Sequence, residues 1–356
     1  MTKIALICNY QLLPERVGGM DYFFWEFDKQ CKSNGIEVDW FFPNFSDHGG
    51  YSALTIHSSK TKNSEKSFLD FCKENKPDYT HIITHFVELC TPFFAAIRKY
   101  SKAQIIAVDH NPRPLNGYSF KKKIQKKLKG ILFSKHIEVF VGVSDYTVNA
   151  ILKDFGRHLK SKTQTIYNGV IIDHILVREI RSVTKPRFLV ASHLRESKGI
   201  QDLIIAVDLL PSQIKSEIKI DIYGDGPYKN QLVEKIRTYG LENCFAFKGN
   251  SSNLNEIFSQ YDYMLQPTHM ECFSLSILES LAANVPVITT NVGGNKEVIT
   301  EAKNGFIVDA KNTRQLAEVL ENVYLGNKNI SINTRELIAN SFSLQKMVEN
   351  HFQLLT

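Results

Sequence analysis

The chain has 356 residues, of which 43% are hydrophobic and 22% are charged, and its net charge is +6. This composition is that of a folded globular protein, and it excludes a disordered, collagen-like or low-complexity chain. The length exceeds what one hydrophobic core commonly supports, so two domains are expected.

Neither a membrane span nor an export signal is evident. No apolar run approaches the roughly 18 to 20 residues that cross a bilayer, and Met1–Cys8 lacks the charged lead, long apolar stretch and cleavage site of a signal peptide. The six cysteines lie far apart and form no Cys-x-x-Cys pair, which predicts reduced, mostly buried thiols rather than disulfides or a metal site. We therefore expect a cytoplasmic protein without a bound metal.

Charge is unevenly distributed along the chain. Residues 1–180 contain 25 basic and 18 acidic side chains, whereas the remaining residues contain 18 and 19. The excess predicts a basic face on the first domain only, and hence a negatively charged partner there.

The first half of the chain alternates short apolar runs with helical patterns. Lys3–Cys8 is followed by a loop containing proline and glycine and then by a helical pattern over Tyr22–Lys32. Further strands are predicted at Val38–Phe42, His81–Thr84, Ile105–Val108 and Val139–Val143. This alternation indicates an α/β fold, with a parallel sheet covered by helices on both faces.

A second series of the same kind follows an irregular stretch around residues 168–186. Its predicted strands are Arg187–Ser192, Ile218–Tyr223, Cys244–Lys248, Tyr263–Gln266, Val285–Thr290 and Gly305–Val308. We predict two doubly wound domains, 1–170 and 187–335, with a linker over 171–186 and a C-terminal helix over 336–356 that packs back toward the first domain. Ligands of such sheets bind at the carboxyl ends of the strands, so two facing sheets would form an interdomain cleft.

Two glutamates bracket one predicted helix, over Glu271–Glu279. At ~1.5 Å per residue, their carboxylates would be separated by up to about 12 Å. The helix start near Phe273, Ser274 and Leu275 would offer free backbone N–H groups to a phosphate between them. Two carboxylates with a phosphate-binding site between them suit a sugar nucleotide as ligand. Taken alone, the pair would better suit a helix-terminal acid and a solvated side chain, and it is the sequence around the pair that favours a ligand site.

Further motifs accompany this pair in a fixed order along the chain. They are Gly18-Gly19, Ile166–Val170, Ala191–Leu203, Ile222–Pro227, Phe247–Gly249, Gly293-Gly294 with Glu297, and Asn304–Val308. Together they resemble the retaining nucleotide-sugar glycosyltransferases of the GT-B fold, specifically glycosyltransferase family 4. The resemblance covers nearly the whole chain and implies two Rossmann-like domains that face a cleft.

The resemblance assigns roles to the charged residues of the second domain. Glu271 would bind hydroxyls of the donor sugar and Glu279 those of the nucleotide ribose, since a carboxylate can accept from two hydroxyls. Lys198 matches the family lysine that contacts the diphosphate. His193 stands where the family usually has an arginine, and Arg195 follows two positions later. Either could supply the second positive group, and Arg195 is favoured because it is always charged.

Glycines and one histidine complete the expected donor contacts. Gly18 and Gly19 would let the backbone approach the donor phosphates, and His110 matches a histidine that meets the donor sugar. Gly224 and Gly249 lie in loops that border the nucleotide base in relatives. The resulting catalytic set is Glu271, Lys198, Arg195 and His110.

A lysine-rich helix is predicted near residue 125. Its lysines are Lys121, Lys122, Lys123, Lys126, Lys127 and Lys129, and its apolar residues Ile124, Leu128, Ile131 and Leu132 recur at helical spacing. Such a helix either binds an anionic membrane surface or packs on its domain with a solvated lysine face. Family members frequently act on lipid-linked acceptors at the cytoplasmic face, which favours the membrane and a peripheral protein. Nucleic acid is not expected, because no recognised binding motif accompanies the lysines.

The resemblance implies transfer of a hexosyl group from a nucleoside diphosphate sugar, with UDP favoured over GDP, and with retention of configuration. The acceptor would be a hydroxyl of a glycan or a lipid-linked molecule in cell-surface polysaccharide, lipopolysaccharide or glycolipid assembly. No Asp-x-Asp occurs in the sequence, which argues against a metal-dependent GT-A enzyme, and no cofactor is expected. No Gly-x-Gly-x-x-Gly supports a dehydrogenase. A sugar-nucleotide epimerase and a non-catalytic sugar-nucleotide-binding subunit are the alternatives.

Overall fold

The computed structural model describes residues 2–15, 17–58, 62–251 and 253–355. The chain divides into two compact units, which we call unit 1 (Met1–Gly169 with Leu344–Thr356) and unit 2 (Val170–Ser343). Each unit has its own parallel sheet and its own buried core. In the described ranges, no helix combines the length and the apolar character that crossing a bilayer requires.

Unit 1 is built on a seven-stranded parallel sheet. Its strands are β1 (Thr2–Cys8), β2 (Ile36–Phe42), β3 (Thr55–Ser58), β4 (His81–His85), β5 (Gln104–Asp109), β6 (Val139–Gly142) and β7 (Thr163–Thr165). They lie in the order β3-β2-β1-β4-β5-β6-β7. The five apolar runs of the sequence form the five inner strands, because a parallel sheet covered on both faces buries both sides of each strand.

Five helices of unit 1 connect these strands. They are α1 (Gly19–Ser33), α2 (Ser64–Asn75), α3 (Pro92–Ile97), α4 (Phe120–Phe133) and α5 (Asp145–Phe155). The start of α1 is fixed by Asp21, whose carboxylate accepts the Gly18 N–H at 2.9 Å. The hydroxyls of Tyr51 and Tyr10 also donate to this buried carboxylate, at 2.6 and 2.8 Å. The acid therefore holds the N-terminus of α1 at the carboxyl end of β1.

Unit 2 repeats the plan with six parallel strands. They are β8 (Phe188–Ala191), β9 (Ile220–Tyr223), β10 (Phe245–Gly249), β11 (Tyr263–Gln266), β12 (Val287–Thr290) and β13 (Gly305–Val308). Their order is β10-β9-β8-β11-β12-β13. Strands are added on one side of β8 and then on the other, so the sheet is doubly wound, as predicted. The topological switch point lies between β8 and β11.

In the described ranges, nine further α-helices follow β8 along the chain. They are α6 (Ile200–Asp208), α7 (Ser212–Glu217), α8 (Lys229–Thr238), α9 (Leu254–Ile257), α10 (Leu275–Ala282), α11 (Asn295–Val298), α12 (Thr313–Tyr324), α13 (Arg335–Ser341) and α14 (Leu344–Phe352). The helices α6 and α12 pack against each other. All six cysteines of the chain are free and buried, in agreement with the prediction of reduced thiols.

The stretch predicted as a linker, 171–186, is part of unit 2. The Arg178 guanidinium lies 2.7 Å from the buried carboxylate of Asp262, and its backbone N–H donates to the Ala283 carbonyl at 2.8 Å. These contacts join residues distant in sequence, so a pattern of irregular sequence could not reveal them.

The segment predicted as one C-terminal helix, 336–356, is divided between the units. Helix α13 belongs to unit 2, whereas α14 belongs to unit 1. There the buried His351 ring packs against Phe23 of α1, with ring centroids 4.7 Å apart.

The lysines of helix α4 do not all face outward, as the prediction required. Lys126 is buried, and its Nζ lies 3.1 Å from Asp154 of α5, so its assignment to a membrane-facing surface is wrong. Lys129 is also held against unit 1, because its Nζ lies 2.7 Å from Glu88. Gly130 allows this orientation: a Cβ there would lie 2.1 Å from the Phe155 carbonyl oxygen. Helices α4 and α5 therefore approach each other closely at Gly130, where there is no side chain.

Candidate functional site

The candidate site of unit 2 lies at the carboxyl ends of β8 and β11. These strands are neighbours at the switch point of the sheet, where open α/β sheets bind their ligands. The loop over 192–199 follows β8, and the loop over 267–274 follows β11. The two loops therefore begin side by side.

A tight turn locks the two loops together. Gly199 has a φ of +70°, and a Cβ at this position would lie 1.8 Å from the Pro267 carbonyl oxygen. The His269 N–H donates to the Ser197 carbonyl at 2.7 Å. Only glycine permits both the left-handed backbone and this close approach. The turn thus fixes the position of Lys198 relative to the second loop.

Lys198 and Glu271 meet at this junction. The Lys198 Nζ lies 2.7 Å from Glu271 Oε2, and the two side chains are 22% and 16% exposed. The sequence predicts both residues for one donor, one at the diphosphate and the other at the sugar. The structure brings them into direct contact at a partly exposed position, where a ligand could reach both charges.

The backbone of Glu271 is supported from β12 as well. The Gly294 N–H donates to the Cys272 carbonyl at 2.8 Å. Gly293, beside it, packs against the Glu271 carbonyl, which a Cβ at that position would approach to 2.1 Å. Three loops, following β8, β11 and β12, therefore position this one carboxylate.

Helix α10 begins beside Glu271, as the sequence predicts. Ser274 is its N-cap and accepts the Ile277 N–H at 3.4 Å, and Leu275 is its first residue. Gln266, the last residue of β11, donates to the Ser274 hydroxyl at 2.6 Å. The buried Oε1 of Gln266 has no hydrogen-bond partner among the described residues. The free N–H groups and partial positive charge of the helix start suit an anion.

Glu279 lies on the same helix. It is half-buried, and burial raises the pKa of its carboxyl group to about 7. The group is therefore poised between the neutral and the charged form near neutral pH, unlike an ordinary surface glutamate. Phe273, also predicted for the donor site, is buried against Phe342, with ring centroids 5.5 Å apart.

The loop after β8 exposes both candidate cations. His193 and Arg195 are exposed. The pKa of the nearby Asp225 is lowered first by the Gly226 N–H, and more weakly by the charges of Lys229 and His193. His193 is thus close to an acid. No carboxylate of the described ranges lies within ion-pairing distance of Arg195. The Gly224 N–H donates to the Gly249 carbonyl at 2.8 Å, which ties together the two predicted base-bordering loops.

Unit 1 carries the remaining predicted contacts. Gly18 is the N-cap of α1 and Gly19 its first residue. A Cβ on Gly18 would meet nothing within 4 Å, so the packing of the unit itself does not require glycine there. The predicted approach of a ligand to this position stays a prediction.

His110 follows β5 and lies against the buried His85. Its Nε2 lies 3.0 Å from Nδ1 of His85, the last residue of β4, and its ring stacks on Phe86 at 4.2 Å. Burial lowers the pKa of His110 to about 3 and that of His351 to about 4, and it also lowers the pKa of His85. His110 is therefore a neutral hydrogen-bonding group at pH 7. His85 was not predicted, although its place at the end of a strand adjacent to β5 is a signal in the sequence that indicates it.

A second contact in unit 2 was also missed. The His269 Nε2 lies 2.5 Å from Asp202 of α6. This pair links the loop that bears Glu271 to the helix that follows Lys198, and nothing in the local sequence predicts it. In the described ranges, no group of three or more histidine, cysteine or acidic side chains could hold a metal ion.

Comparison with known proteins places these features in context. Residues 175–339 match the family model described as glycosyl transferases group 1. The N-acetyl-alpha-D-glucosaminyl L-malate synthase of Bacillus anthracis is 26% identical over 200 residues, which cover 53% of this chain and 52% of the relative. The poly(glycerol-phosphate) alpha-glucosyltransferase of Bacillus subtilis is 23% identical over 245 residues, or 63% of this chain and 36% of the relative. The matches thus span about half of the first relative and about a third of the second.

The fold has a solved counterpart over its full length. The crystal structure of HepE from Anabaena in complex with UDP and glucose superposes with a TM-score of 0.75, covering 100% of this chain and 99% of HepE at 17% identity. The doubly wound sheets of both units match that fold. The chain therefore has the GT-B fold, and its residues 175–339 are similar to the glycosyl transferases group 1.

Proposed function

We propose that the chain is a retaining, metal-independent hexosyltransferase that uses a nucleoside diphosphate sugar, with UDP preferred to GDP. The Lys198–Glu271 pair beside the start of α10 is the observation that carries this proposal. A cation, a carboxylate and a helix N-terminus at one switch point match such a donor, in which charged phosphates and a hydroxyl-rich sugar are linked through one oxygen.

Each group has a role that its chemistry supports. Lys198 and the N–H groups at the start of α10 bind the diphosphate and stabilise its charge as it departs. Arg195 supplies a second positive charge. Glu271 accepts hydrogen bonds from sugar hydroxyls, and Glu279 accepts them from the ribose once its carboxyl group is ionised. The site in unit 2 thus holds the donor without a metal ion.

The names of the relatives support retention and a uridine nucleotide. Both curated relatives are named for an α-linked product, and common UDP-hexoses carry their sugar in the α configuration. The HepE complex contains UDP and glucose. In the proposed step, the bond from the sugar C1 to the phosphate oxygen breaks and a bond from C1 to the acceptor oxygen forms on the same face. The acceptor proton passes to the departing phosphate oxygen.

For the acceptor, we propose a hydroxyl of a glycan or lipid-linked molecule in cell-surface polysaccharide, lipopolysaccharide or glycolipid assembly. The poly(glycerol-phosphate) substrate in the name of one relative supports an acceptor of this kind. The predicted contacts of Gly18, Gly19 and His110 with the donor stay predictions.

A thermal-shift screen with UDP, GDP and their hexose derivatives tests the proposal. A ligand present at 100 times its dissociation constant stabilises the folded protein by about 2.7 kcal/mol, which raises the melting temperature by several degrees. We expect this for UDP and UDP-hexoses. If no nucleoside diphosphate raises the melting temperature, the proposal is wrong.

NMR of the sugar then separates enzymes from binding proteins. A transferase forms a new glycosidic bond when an acceptor is present, and the signal of the new anomeric proton shows the configuration. Conversion of the donor alone into an epimer would identify an epimerase. Binding without any transfer to extracted glycan or lipid acceptors would identify a non-catalytic subunit.

A further inference from the structure

Helix α4 presents its apolar side chains to solvent. The exposed fractions are 79% for Phe120, 46% for Ile124, 53% for Leu128, 67% for Ile131 and 56% for Leu132. At about 100° per residue, these five positions fall within one sector of about 120° around the helix axis. We call them the α4 apolar stripe. A contiguous apolar surface of this kind is typical of an interaction site rather than of an ordinary solvated helix.

The opposite face of α4 fixes this orientation. Lys126 is buried there in an ion pair with Asp154, and its Nζ lies over the rings of Tyr118 and Phe155 at 4.6 and 4.8 Å. Gly130 packs directly on the backbone of α5. Rotating the helix to bury the stripe would expose this network and drive larger side chains into α5. The stripe is therefore held outward by the packing of unit 1 itself.

A cationic pocket borders the stripe. It has a volume of about 640 Å³ and lies between α4, α5 and the 3-10 turn that follows. Its lining residues are Lys127, Asn149, Leu152, Lys153, Arg157 and Lys160. Four of these six side chains are cations and none is an acid, so the pocket suits an anion such as a phosphate monoester or diester.

Pocket and stripe are parts of one surface. Lys127 lines the pocket and is followed four positions later by Ile131 of the stripe, so the two are neighbours on the helix. Lys121 and Lys123 are also exposed: Lys123 lies on the same flank of the stripe as Lys127, and Lys121 lies within the sector of the stripe, at the start of the helix. Helix α4 contains no acidic residue. The acids that contact it, Glu88 and Asp154, are each paired with one of its lysines.

We propose that this surface docks unit 1 on an anionic lipid bilayer. The α4 apolar stripe enters the boundary between headgroups and acyl chains, and the cationic pocket binds a lipid phosphate. An exposed helix face that carries apolar residues with lysines beside them matches an anionic bilayer interface, where lysine stems extend toward the headgroups. This inference goes beyond the proposed sugar chemistry and does not depend on it.

Vesicle co-sedimentation of the full chain, without donor or acceptor, tests the docking. We compare vesicles of phosphatidylcholine alone with vesicles that also contain phosphatidylglycerol. We expect binding to the anionic vesicles to be at least about tenfold tighter, and high salt to weaken it. Equal binding to both vesicle types, or binding to neither, would overturn the proposal.

Two pairs of substitutions separate the stripe from the pocket. Leu128→Ser with Ile131→Ser removes apolar contact from exposed positions, and Lys153→Glu with Lys160→Glu reverses the pocket charge. Each pair is expected to reduce binding to anionic vesicles by about tenfold. The matched controls, exposed in the same way elsewhere, are Leu209→Ser with Leu325→Ser and Lys66→Glu with Lys73→Glu. Circular dichroism checks that every variant is folded.

The variants also exclude other occupants. If the stripe variant binds as tightly as the original chain, the stripe does not contact lipid and the proposal fails. Normal binding by the pocket variant would overturn the role of the pocket. If sedimentation equilibrium shows a dimer that the stripe variant abolishes, the stripe is a contact between two copies of the chain, and membrane docking is wrong.

Discussion

Lys198 and Glu271 are separated by 73 positions in the sequence, yet the Lys198 Nζ lies 2.7 Å from Glu271 Oε2. Neither residue depends on the other for its place in the fold, since each belongs to a loop that follows a different strand. The contact depends on Gly199, whose left-handed turn fits against Pro267. The central ion pair of the candidate site therefore depends on this backbone turn as well as on the loops that hold Glu271.

Replacing Gly199 with alanine tests this dependence. The new Cβ would collide with the Pro267 carbonyl, and an alanine in the left-handed region also costs about 1 kcal/mol. We expect a loss of stability of more than 2 kcal/mol and at least tenfold weaker binding of UDP-glucose. Urea unfolding and titration calorimetry measure both.

Gly240→Ala is the matched control. Gly240 has a similar φ of +64°, but a Cβ there would meet nothing within 4 Å. The Gly240→Ala variant should lose only the stability that an alanine in the left-handed conformation costs, and it should keep its affinity for UDP-glucose. Equal effects of the two substitutions would show that the contact with Pro267 is unimportant.

Arg195 and His193 can be distinguished by donor affinity. Arg195 has no carboxylate partner in the described ranges, whereas His193 lies near Asp225. We expect Arg195→Ala to weaken UDP-glucose binding about tenfold, as loss of a charge-assisted hydrogen bond does. His193→Ala should change it by less than about threefold, as should the exposed control Arg237→Ala. If His193→Ala weakened UDP-glucose binding more than Arg195→Ala did, His193 would be the second positive group at the diphosphate.

The raised pKa of Glu279 predicts that donor binding depends on pH. Burial raises the pKa of its carboxyl group to about 7, so the fraction of charged acceptor increases as the pH rises through 7. UDP-glucose affinity should increase from pH 6 to pH 8 in the original chain and stay level in Glu279→Gln. UDP-glucose is the better probe because its diphosphate, unlike that of UDP, does not titrate in this range. A level profile in the original chain would contradict the role of Glu279.

The histidines of unit 1 predict acid sensitivity. The pKa of His351 is lowered by burial from 6.5 to about 4, so the unfolded chain binds its proton first as the pH falls. The stability that His351 contributes by staying neutral in the folded chain is complete above pH 6.5. It is lost progressively as the pH falls from 6.5 to about 4. Between pH 7 and pH 5 this one group should cost about 2 kcal/mol of unfolding free energy. His85 and His110 add to the loss, because their pKa values are also lowered.

Tryptophan fluorescence can follow this loss in unit 1 alone. The only two tryptophans of the chain, Trp25 and Trp40, both belong to that unit. In urea titrations, His351→Leu should reduce the pH-dependent loss by about 2 kcal/mol, while the exposed control His158→Leu leaves it unchanged. If His351→Leu retains the full loss, the buried histidine is not its source.

Most of the fold could be predicted from the sequence, for a physical reason. Inner strands of a parallel sheet are buried on both faces, so they form continuous apolar runs such as Tyr263–Gln266, whose observed bounds equal the predicted ones. The edge strands β3 and β7 were not predicted. They are short and contain mainly polar residues, such as Thr163–Thr165.

Helix α4 shows where periodicity is insufficient. The spacing of apolar residues reveals two faces but not which of them packs on the unit. Here a glycine and an ion pair decide: Gly130 permits close approach to α5, and Asp154 binds Lys126. Both partners lie outside the helix, so the sequence of the helix alone could not show that Lys126 is buried. The site shows the same limit, since its motifs predict Lys198 and Glu271 but not their contact.

A crystal structure of the chain with UDP-glucose tests the central claim most directly. We predict that the diphosphate lies within hydrogen-bonding distance of Lys198 Nζ and of the backbone N–H groups at the start of α10, and that a hexose hydroxyl donates to Glu271. Density for the nucleotide at any other place, or a donor that contacts neither Lys198 nor Glu271, would contradict the account.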